Sequence, residues 1–344
     1  MARKSIKTVN LALQGGGAHG ALTWGVLDRL LEEEALEIEG ITATSAGAMN
    51  AAALKCGWVG GGREGARARL DQFWRAVAER GRGSNPMLEW LRMVNPSLAL
   101  SLSALQANPA YLAGDALTRM FSPYDLNPLG INPLRDLVGE LNFKDMDEPE
   151  GPRLFICATN VRSGKIKVFK GQEISTDAIL ASACLPTLFQ AVEIDGEAYW
   201  DGGYIGNPAL FPLFYETKTR DILIVHINPI ERDDVPTKAT DILNRVNEIS
   251  FNSSLLRELR NIDFVKRLIE DGQLEGKGFK DVLIHSLRDD DTMASLGVAT
   301  KLQPDLTLLE TLKARGRKTA DTFLKQHWSD LGTRSTVDLR AMFE

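Results

Sequence analysis

A serine between small residues is the first group in this sequence suited to covalent chemistry. It lies in Ala43-Thr44-Ser45-Ala46-Gly47, after a short apolar run and before an alanine-rich stretch that favours helix. A serine on such a strand-to-helix turn exposes its hydroxyl if the residues two before and two after it are small. Ala43 and Gly47 meet that condition. The alternative for the pentad alone is a serine that serves only as a helix N-cap.

A glycine-rich run, Gly15-Gly16-Gly17-Ala18-His19-Gly20, precedes the serine. Its backbone N–H groups are suited to holding the oxyanion of an acyl-transfer reaction. The run also matches the dinucleotide-binding pattern G-x-G-x-x-G. That interpretation requires an acidic residue at the end of the second strand, and Thr44-Ser45 stands there instead. No Gly-Lys-Ser/Thr follows, so the run is not a phosphate-binding P-loop either. The pattern favours an oxyanion loop.

The base that takes the serine proton decides the type of hydrolase. Of the four histidines, His226 and His285 belong to apolar strands, and we expect them in the core. His327 is expected on a helix surface. His19 lies in the glycine run, but a histidine base would also need a carboxylate to orient it.

An aspartate offers a different base. Asp201 is followed by Gly202-Gly203 directly after a predicted strand, so little side-chain cover separates its carboxylate from a partner. This placement would let the carboxylate reach Ser45 Oγ without a histidine. The alternative is that Asp-Gly-Gly forms a simple turn.

The order of predicted elements indicates an α/β fold with a mainly parallel sheet. A buried strand at 8–14 leads into the glycine run, an amphipathic helix follows at about 20–34, and a second strand at 41–44 ends at Ser45. Further strands are predicted at 153–160, 165–170, 192–194, 198–200, 221–228 and 281–286, and further helices at 46–54, 63–83, 176–184, 237–272 and 303–328.

Composition and charge narrow the function class. A net charge of −6 argues against a general nucleic-acid binder, which would need a basic surface. Any membrane contact is then expected to rest on apolar insertion. The three cysteines, Cys56, Cys157 and Cys184, lack metal-ligand spacing and are expected to be buried free thiols. With no signal-peptide pattern and no transmembrane stretch, we expect a soluble cytoplasmic protein.

Residues 84–134 differ from the rest of the chain. They are rich in Pro, Asn, Leu and Met and hold short helical pieces between breakers. Long irregular segments in compact domains are often lids or binding loops. The alternatives are an apolar lid that opens onto lipid, with Trp90 and the leucines after it as contacts, and ordinary packing on the core.

Together these motifs resemble the patatin-like phospholipase family, whose signature is a glycine-rich oxyanion loop, a G-x-S-x-G elbow and a D-G-[GA] turn. A fourth match, Ala181-Ser182-Ala183-Cys184-Leu185-Pro186, is similar to the family's A-S-x-A-x-P block, with Cys184 in place of the second alanine. The four occur in the family's order and spacing over residues 6–210. The resemblance implies a three-layer α/β/α fold with a mainly parallel central sheet and an irregular, partly helical insertion, 84–134, over the active site.

The resemblance also implies a domain organisation. Residues 1–210 would form the catalytic core, and residues 211–344 would complete the sheet and add helices. Residues 122–129 and this C-terminal part are similar to a bacterial subgroup with an additional C-terminal region.

The resemblance implies a Ser45–Asp201 dyad that works without histidine. An aspartate with a pKa of about 4 is a weak base, so we expect burial beneath Trp200 and the insertion to raise the Asp201 pKa. No metal and no other cofactor is implied, since N–H groups hold the oxyanion. The oxyanion hole would be formed by Gly15, Gly16, Gly17 and Ala18, in which the N–H groups of the last three bind the oxyanion, with His19, Gly47, Gly202 and Gly203 as supporting residues.

Two positions depart from the family pattern. His19 stands where the family usually has Arg or Lys, so the loop itself carries no permanent positive charge. Ala43 replaces the first glycine of the elbow and adds a methyl group to a crowded turn. Neither change removes a catalytic group.

The predicted activity is the hydrolysis of lipid carboxylic esters at the sn-1 or sn-2 position, with a lipid or acyl ester as the substrate. Peripheral membrane contact and a homo-oligomer stay open, and no nucleic acid is expected. The first alternative is a carboxylesterase for non-phospholipid esters, including an intracellular polyester depolymerase. The second is a catalytically silent lipid-binding or scaffold protein, in which Ser45 and Asp201 would be too far apart to share a proton. Nucleotide binding through the glycine run is a third, for which we expect no thermal shift with NAD or FAD.

Overall fold

The computed structural model describes residues 5–81, 121–274 and 278–344. Within these residues, four short 3₁₀ turns lie at Gly17–Gly20, Phe143–Asp147, Gly171–Glu173 and Gly202–Tyr204. In chain order the described residues form β1 (Lys7–Leu13), α1 (Ala21–Leu31), β2 (Leu36–Thr44), α2 (Ala46–Gly81), α3 (Pro123–Leu126), α4 (Arg135–Gly139), β3 (Arg153–Asn160), β4 (Ile166–Lys170), α5 (Thr176–Ser182), β5 (Val192–Ile194), β6 (Glu197–Asp201), α6 (Phe211–Glu216), β7 (Asp221–Val225), α7 (Ala239–Glu270), β8 (Leu283–Leu287), α8 (Asp290–Ala294), α9 (Val298–Leu302), α10 (Leu306–His327) and α11 (Leu339–Phe343).

Within these residues the strands form one eight-stranded sheet in the order β5–β6–β3–β2–β1–β7–β8, with β4 also paired to β3. The pairs β1–β2, β2–β3, β1–β7 and β7–β8 are parallel. The pairs β3–β4, β3–β6 and β5–β6 are antiparallel. The mainly parallel sheet predicted from the sequence is therefore confirmed.

Alternation along the central strands divides the core into the two faces of the sheet. Leu11 and Leu13 of β1 pack in a large apolar cluster with α1, α2, α5 and α10. Ala12, between them, packs in a second cluster with α6, α7 and α11. The same alternation occurs in β7, where Ile222 and Ile224 face the second cluster and Leu223 faces the first. Helices on both faces of a buried sheet make the predicted three-layer α/β/α fold.

Helices α1 and α10 cross on the first face at two glycines. A Cβ at Gly25 would lie 1.9 Å from Lys313 O, and one at Gly316 would lie 2.0 Å from Leu22 O. Only residues without a side chain let the two backbones approach this closely. This crossing ties the C-terminal part of the chain to the first helix.

Most predicted element positions agree with the structure, and the differences have local causes. Strand β2 begins at Leu36, five residues before the predicted start. The prediction missed its first half because Glu37 and Glu39 interrupt the apolar run there. Helix α2 has non-helical backbone angles at Gly61 and Gly62, where a loop was predicted, but its first half extends past Leu54. Short helices α6 and α11 were not predicted, since five or six residues carry too little periodicity.

Part of the predicted insertion 84–134 lies outside the described residues, including Trp90 and the apolar positions up to Leu105. The described part begins at Phe121 and contains α3, whose first turn is held by a capping box between Ser122 and Asp125. That the insertion covers the active site stays a prediction. So does the division of the chain at residue 210.

None of the helices in residues 5–81, 121–274 and 278–344 is long and apolar enough to cross a bilayer.

Candidate active site

Ser45 occupies a strained turn between β2 and α2. Its φ angle is +55°, a left-handed conformation that serine rarely adopts. Two residues after the serine there is no room for a side chain, since a Cβ at Gly47 would lie 2.3 Å from Leu13 O. Ala43 is fully buried, so its methyl group fits into the core in place of the family's usual glycine. The backbone thus forms the sharp turn predicted from the pentad.

The backbone of Ser45 is held by a second serine. The Ser45 N–H donates to Ser182 Oγ at 2.9 Å, and Ser182 Oγ–H donates to Cys157 O at 2.6 Å. Ser182 is fully buried at the end of α5. The block that contains it was recognised in the sequence, but its role in holding the turn comes only from the tertiary structure.

Asp201 reaches Ser45 because β2 and β6 share one edge of β3. Cys157 of β3 pairs with Thr44 at the end of β2, and the next residue, Ala158, pairs with Asp201 at the end of β6. Both Cys157 and Ala158 also pair with β4, which occupies the other edge of β3, so β2 and β6 must lie on the same edge. The parallel strand β2 and the antiparallel strand β6 therefore end against consecutive residues of β3.

The carboxyl group of Asp201 is enclosed and hydrogen-bonded. Gly203 N–H donates to Asp201 Oδ1 at 2.7 Å. Burial raises the Asp201 pKa to about 7, and the Gly203 N–H and the neighbouring Ser45 side chain oppose that rise. A carboxylate with a pKa near neutrality is a much better proton acceptor than an ordinary aspartate. The expectation of a raised pKa is confirmed.

The backbone of Asp201 is also held in place. Its N–H donates to Cys184 O at 2.7 Å, and its C=O accepts from Thr159 Oγ1 at 2.7 Å. A Cβ at Gly202 would lie 2.3 Å from Cys157 O, so the Asp-Gly-Gly turn can approach β3 only with glycine at that position. The turn therefore holds the carboxylate rigidly rather than merely reversing the chain.

The glycine run lies directly against the serine. A Cβ at Gly15 would be 2.6 Å from Ser45 Cβ, and one at Gly16 would be 2.2 Å from Ile227 Cγ2. Gly17 has a φ of +59° and is exposed. Only glycine satisfies the two close approaches, and the left-handed angle favours glycine too.

The N–H groups of this run are not equivalent. The Gly15 N–H donates to Asn207 Oδ1 at 2.7 Å, so it is not available to an oxyanion. Over the described residues, the N–H groups of Gly16, Gly17 and Ala18 have no acceptor. Nothing in the sequence indicated that Asn207 would bond to the glycine run, because it lies far along the chain from that run.

In the part of the chain that the structure describes, no hydrogen bond joins a histidine to Ser45 or Asp201. His19 is buried, with Nε2 2.7 Å from Thr300 Oγ1, and burial lowers its pKa well below the usual value. His226 is buried with its pKa lowered to about 3, and buried His285 lies 2.9 Å from Asp221 Oδ1. His327 bonds to Asp330 near the surface. His19 is thus uncharged. Cys56, Cys157 and Cys184 are buried free thiols, as expected.

A family model described as patatin-like phospholipase matches residues 11–214, more than half of the 344-residue chain. The matched segment contains the glycine run, Ser45 and Asp201.

Solved structures also resemble the chain. It is similar to VipD from Legionella pneumophila at 15% sequence identity and a TM-score of 0.37, covering 89% of this chain and 66% of VipD. It is similar to full-length ExoU from Pseudomonas aeruginosa, solved in complex with SpcU, at 16% identity and a TM-score of 0.32, covering 94% of this chain and 54% of that one. The chain thus spans less than two thirds of either structure. A comparison with curated proteins finds no match.

Proposed function

We propose that this chain, which belongs to the patatin-like phospholipase family, is a lipid acyl hydrolase that cleaves lipid carboxylic esters through a Ser45–Asp201 dyad. The observation that carries this proposal is the placement of the strained serine beside a buried carboxyl group whose pKa burial raises to about 7. The proposed oxyanion hole consists of the N–H groups of Gly16, Gly17 and Ala18, with Gly15 as a positioning residue.

The proposed reaction has two steps. In the first, Asp201 takes the proton of Ser45 Oγ while Oγ bonds to the ester carbonyl carbon, and the displaced electron pair moves to the carbonyl oxygen. The free N–H groups stabilise that oxyanion. The intermediate then collapses, the C–O bond to the alcohol breaks, and the proton on Asp201 passes to the leaving alkoxide.

In the second step, water is the nucleophile and Ser45 is the leaving group. Asp201 takes a proton from water as the water oxygen attacks the acyl-enzyme, and the Ser45–acyl bond breaks with return of the proton to Oγ. The product is a free carboxylic acid, and the dyad is restored. No step uses a histidine.

Peripheral membrane contact is proposed on the side of the molecule next to the dyad. A chain of contacts runs outward from Asp201 N–H to Cys184 O, from Cys184 Sγ to Gln190 O at 3.1 Å, and from Gln190 Nε2 to Asn127 O at 2.8 Å. Around Asn127 the apolar side chains Phe121, Leu126, Leu129 and Ile131 are exposed. Exposed apolar groups beside a lipid-hydrolysing site are suited to insertion into a lipid surface.

The membrane proposal is tested by flotation with phosphatidylcholine vesicles. Replacing Leu129, which is 83% exposed, by Asp is expected to reduce the floated fraction. The matched control is Tyr215→Asp, because Tyr215 is 82% exposed but its neighbour Glu216 pairs with Arg153 at the opposite end of β3. Equal loss in both variants, or in neither, would contradict the assignment of this surface.

A non-phospholipid ester is the second candidate substrate. It is favoured by the uncharged, buried His19 and by the net charge of −6, which give the glycine run itself no attraction for an anionic head group. Rates on phosphatidylcholine vesicles and on short-chain acyl esters, measured with the same preparation, separate the two candidates.

The dyad is tested by labelling with a fluorophosphonate, with and without detergent micelles, followed by intact-mass measurement. We expect one adduct, absent from Ser45→Ala and present in Ser163→Ala, which removes an exposed loop serine instead. An adduct that depends on micelles would support interfacial activation. Absence of any adduct under both conditions would contradict the proposal and favour a silent scaffold.

A further inference from the structure

We propose that Lys301, acting through Asn228, polarises the Gly15–Gly16 peptide and so makes the Gly16 N–H a stronger oxyanion donor. This inference rests on the proposed function, and it adds a positioning residue from a part of the chain beyond the family match at 11–214.

Two hydrogen bonds connect the ammonium group to the glycine run. Lys301 Nζ donates to Asn228 Oδ1 at 3.0 Å, and Asn228 Nδ2 donates to Gly15 O at 2.8 Å. The Gly15 C=O and the Gly16 N–H are opposite ends of one planar amide. A donor on the carbonyl oxygen increases the positive charge on the N–H at the other end, and consecutive hydrogen bonds strengthen one another.

The Asn228 side chain has one orientation. Its Oδ1 accepts from an ammonium group, which can only donate, and its Nδ2 donates to a carbonyl, which can only accept. The Asn228 backbone is held as well, since its N–H donates to Gln14 Oε1 at 3.0 Å and Gln14 Nε2 donates to Asn252 Oδ1 at 3.1 Å. The relay therefore runs from the half-buried Lys301 to the buried side chain of Asn228, whose amide cannot exchange its two roles.

Helix α9 also packs its backbone against the glycine run. A Cβ at Gly17 would lie 2.4 Å from Lys301 O, and Thr300 of the same helix bonds to His19. The charged groups that act on the Lys301 ammonium are Glu248 of α7 and Arg232 after β7, which pair with each other at 2.5 Å. His19, the remaining titratable neighbour, is uncharged.

This arrangement makes the relay dependent on pH. Burial lowers the Lys301 pKa to about 8, with Glu248 opposing the shift and Arg232 adding to it. The ammonium form is therefore present at neutral pH and is lost as the pH rises through about 8. Polarisation of the Gly16 N–H should be lost with it.

The first readout is the Gly16 amide proton in NMR spectra of deuterated, ¹⁵N-labelled protein, from about pH 6 to about pH 9. In the wild type we expect an upfield step with a midpoint near the Lys301 pKa of about 8. In Lys301→Met the step near pH 8 should be missing, whereas any shift that follows the titration of Asp201 near pH 7 should be kept. Lys280→Met is the matched control, because Lys280 is also a partly buried lysine on backbone carbonyls, those of Leu213 and Thr217, and it should keep the step.

The second readout is hydrolysis of a short-chain ester. At about pH 7.5, Lys301→Met should lower kcat about tenfold with little change in KM, a fraction of the roughly 10²–10³-fold effect of removing an oxyanion donor outright. The difference in kcat between wild type and variant should disappear above about pH 9, where the wild-type lysine is neutral. A merely structural role for Lys301 would leave this difference in kcat independent of pH.

The outcomes separate this inference from the proposed function. If Ser45 hydrolyses the ester but the Gly16 amide proton shows no pH-dependent step, the inference is overturned and the proposed function stands. The same holds if the difference in kcat between wild type and Lys301→Met persists above about pH 9. A Gly16 step that depends on Lys301, in a protein that hydrolyses no ester, supports the polarised peptide and contradicts the proposed function.

Discussion

Replacing Asp201 by Asn is expected to abolish hydrolysis and, at alkaline pH, to stabilise the fold. Asn cannot take a proton from Ser45, but its Oδ1 can still accept from the Gly203 N–H, and its amide can donate to Ser45 Oγ. Burial raises the Asp201 pKa from its ordinary value of 3.8 to about 7 in the folded protein. The folded state therefore binds this proton more tightly than the unfolded state, and stability falls as the pH rises from the unfolded pKa to the folded pKa.

The magnitude follows from that shift. A difference of about 3 pKa units corresponds to roughly 4 kcal/mol at full ionisation, at about 1.4 kcal/mol per unit. Between about pH 5.5 and about pH 8.5, only the interval up to the folded pKa of about 7 contributes. That interval is roughly 1.5 units, so the wild type should lose about 2 kcal/mol over this range through Asp201 alone, and Asp201→Asn should not.

Urea denaturation of both proteins at these two pH values measures the effect. Other titrating groups are common to both proteins and cancel in the difference. Glu258→Gln is the matched control, because Glu258 has its pKa raised to about 7 by burial and accepts the N–H groups of Leu210 and Phe211. It should show a similar pH-dependent stabilisation without loss of hydrolysis. Parallel pH dependence of stability in wild type and Asp201→Asn would refute the reasoning.

Three further substitutions probe the framework of the site. Ser182→Ala leaves the Ser45 N–H and the Cys157 C=O without their partner, so it should cost about 1–3 kcal/mol in urea denaturation and slow fluorophosphonate labelling. Gly15→Ala places a methyl group 2.6 Å from the nucleophile's Cβ and should lower kcat on the order of 10²-fold, whereas Gly60→Ala, with open space around it, should not. Gly316→Ala places a methyl group 2.0 Å from a carbonyl oxygen of α1 and should cost about 1–3 kcal/mol by calorimetry. Its activity per folded molecule should be unchanged, and a stability equal to that of the wild type would contradict the packing argument.

The sequence by itself determined the features that depend on neighbouring residues. The buried strands β1 and β7 and the apolar stripe of α1 follow from hydrophobic patterning over a few residues. The sequence also predicts a hairpin at Asp195-Gly196, between the strands expected at 192–194 and 198–200, from its turn residues. Both hairpin residues have positive φ, as an Asp-Gly turn favours. The motifs around Ser45 and Asp201 were also local, which is why family and fold class could be predicted.

Tertiary structure decided how those local pieces meet. The approach of Ser45 to Asp201 depends on β2 and β6 ending at consecutive residues of β3, and no local pattern encodes such a register. The same holds for Asn207, whose acceptor oxygen makes the Gly15 N–H unavailable.

The electrostatics of the site were decided by the same packing. The sequence indicated that Asp201 should be buried, but its enclosure depends on residues from several elements. Lys301 reaches the glycine run from almost the other end of the chain, and burial makes His19 uncharged although it lies inside the run. Desolvation and long-range hydrogen bonds depend on the whole packed structure, whereas helix, strand and turn preferences depend on a few adjacent residues.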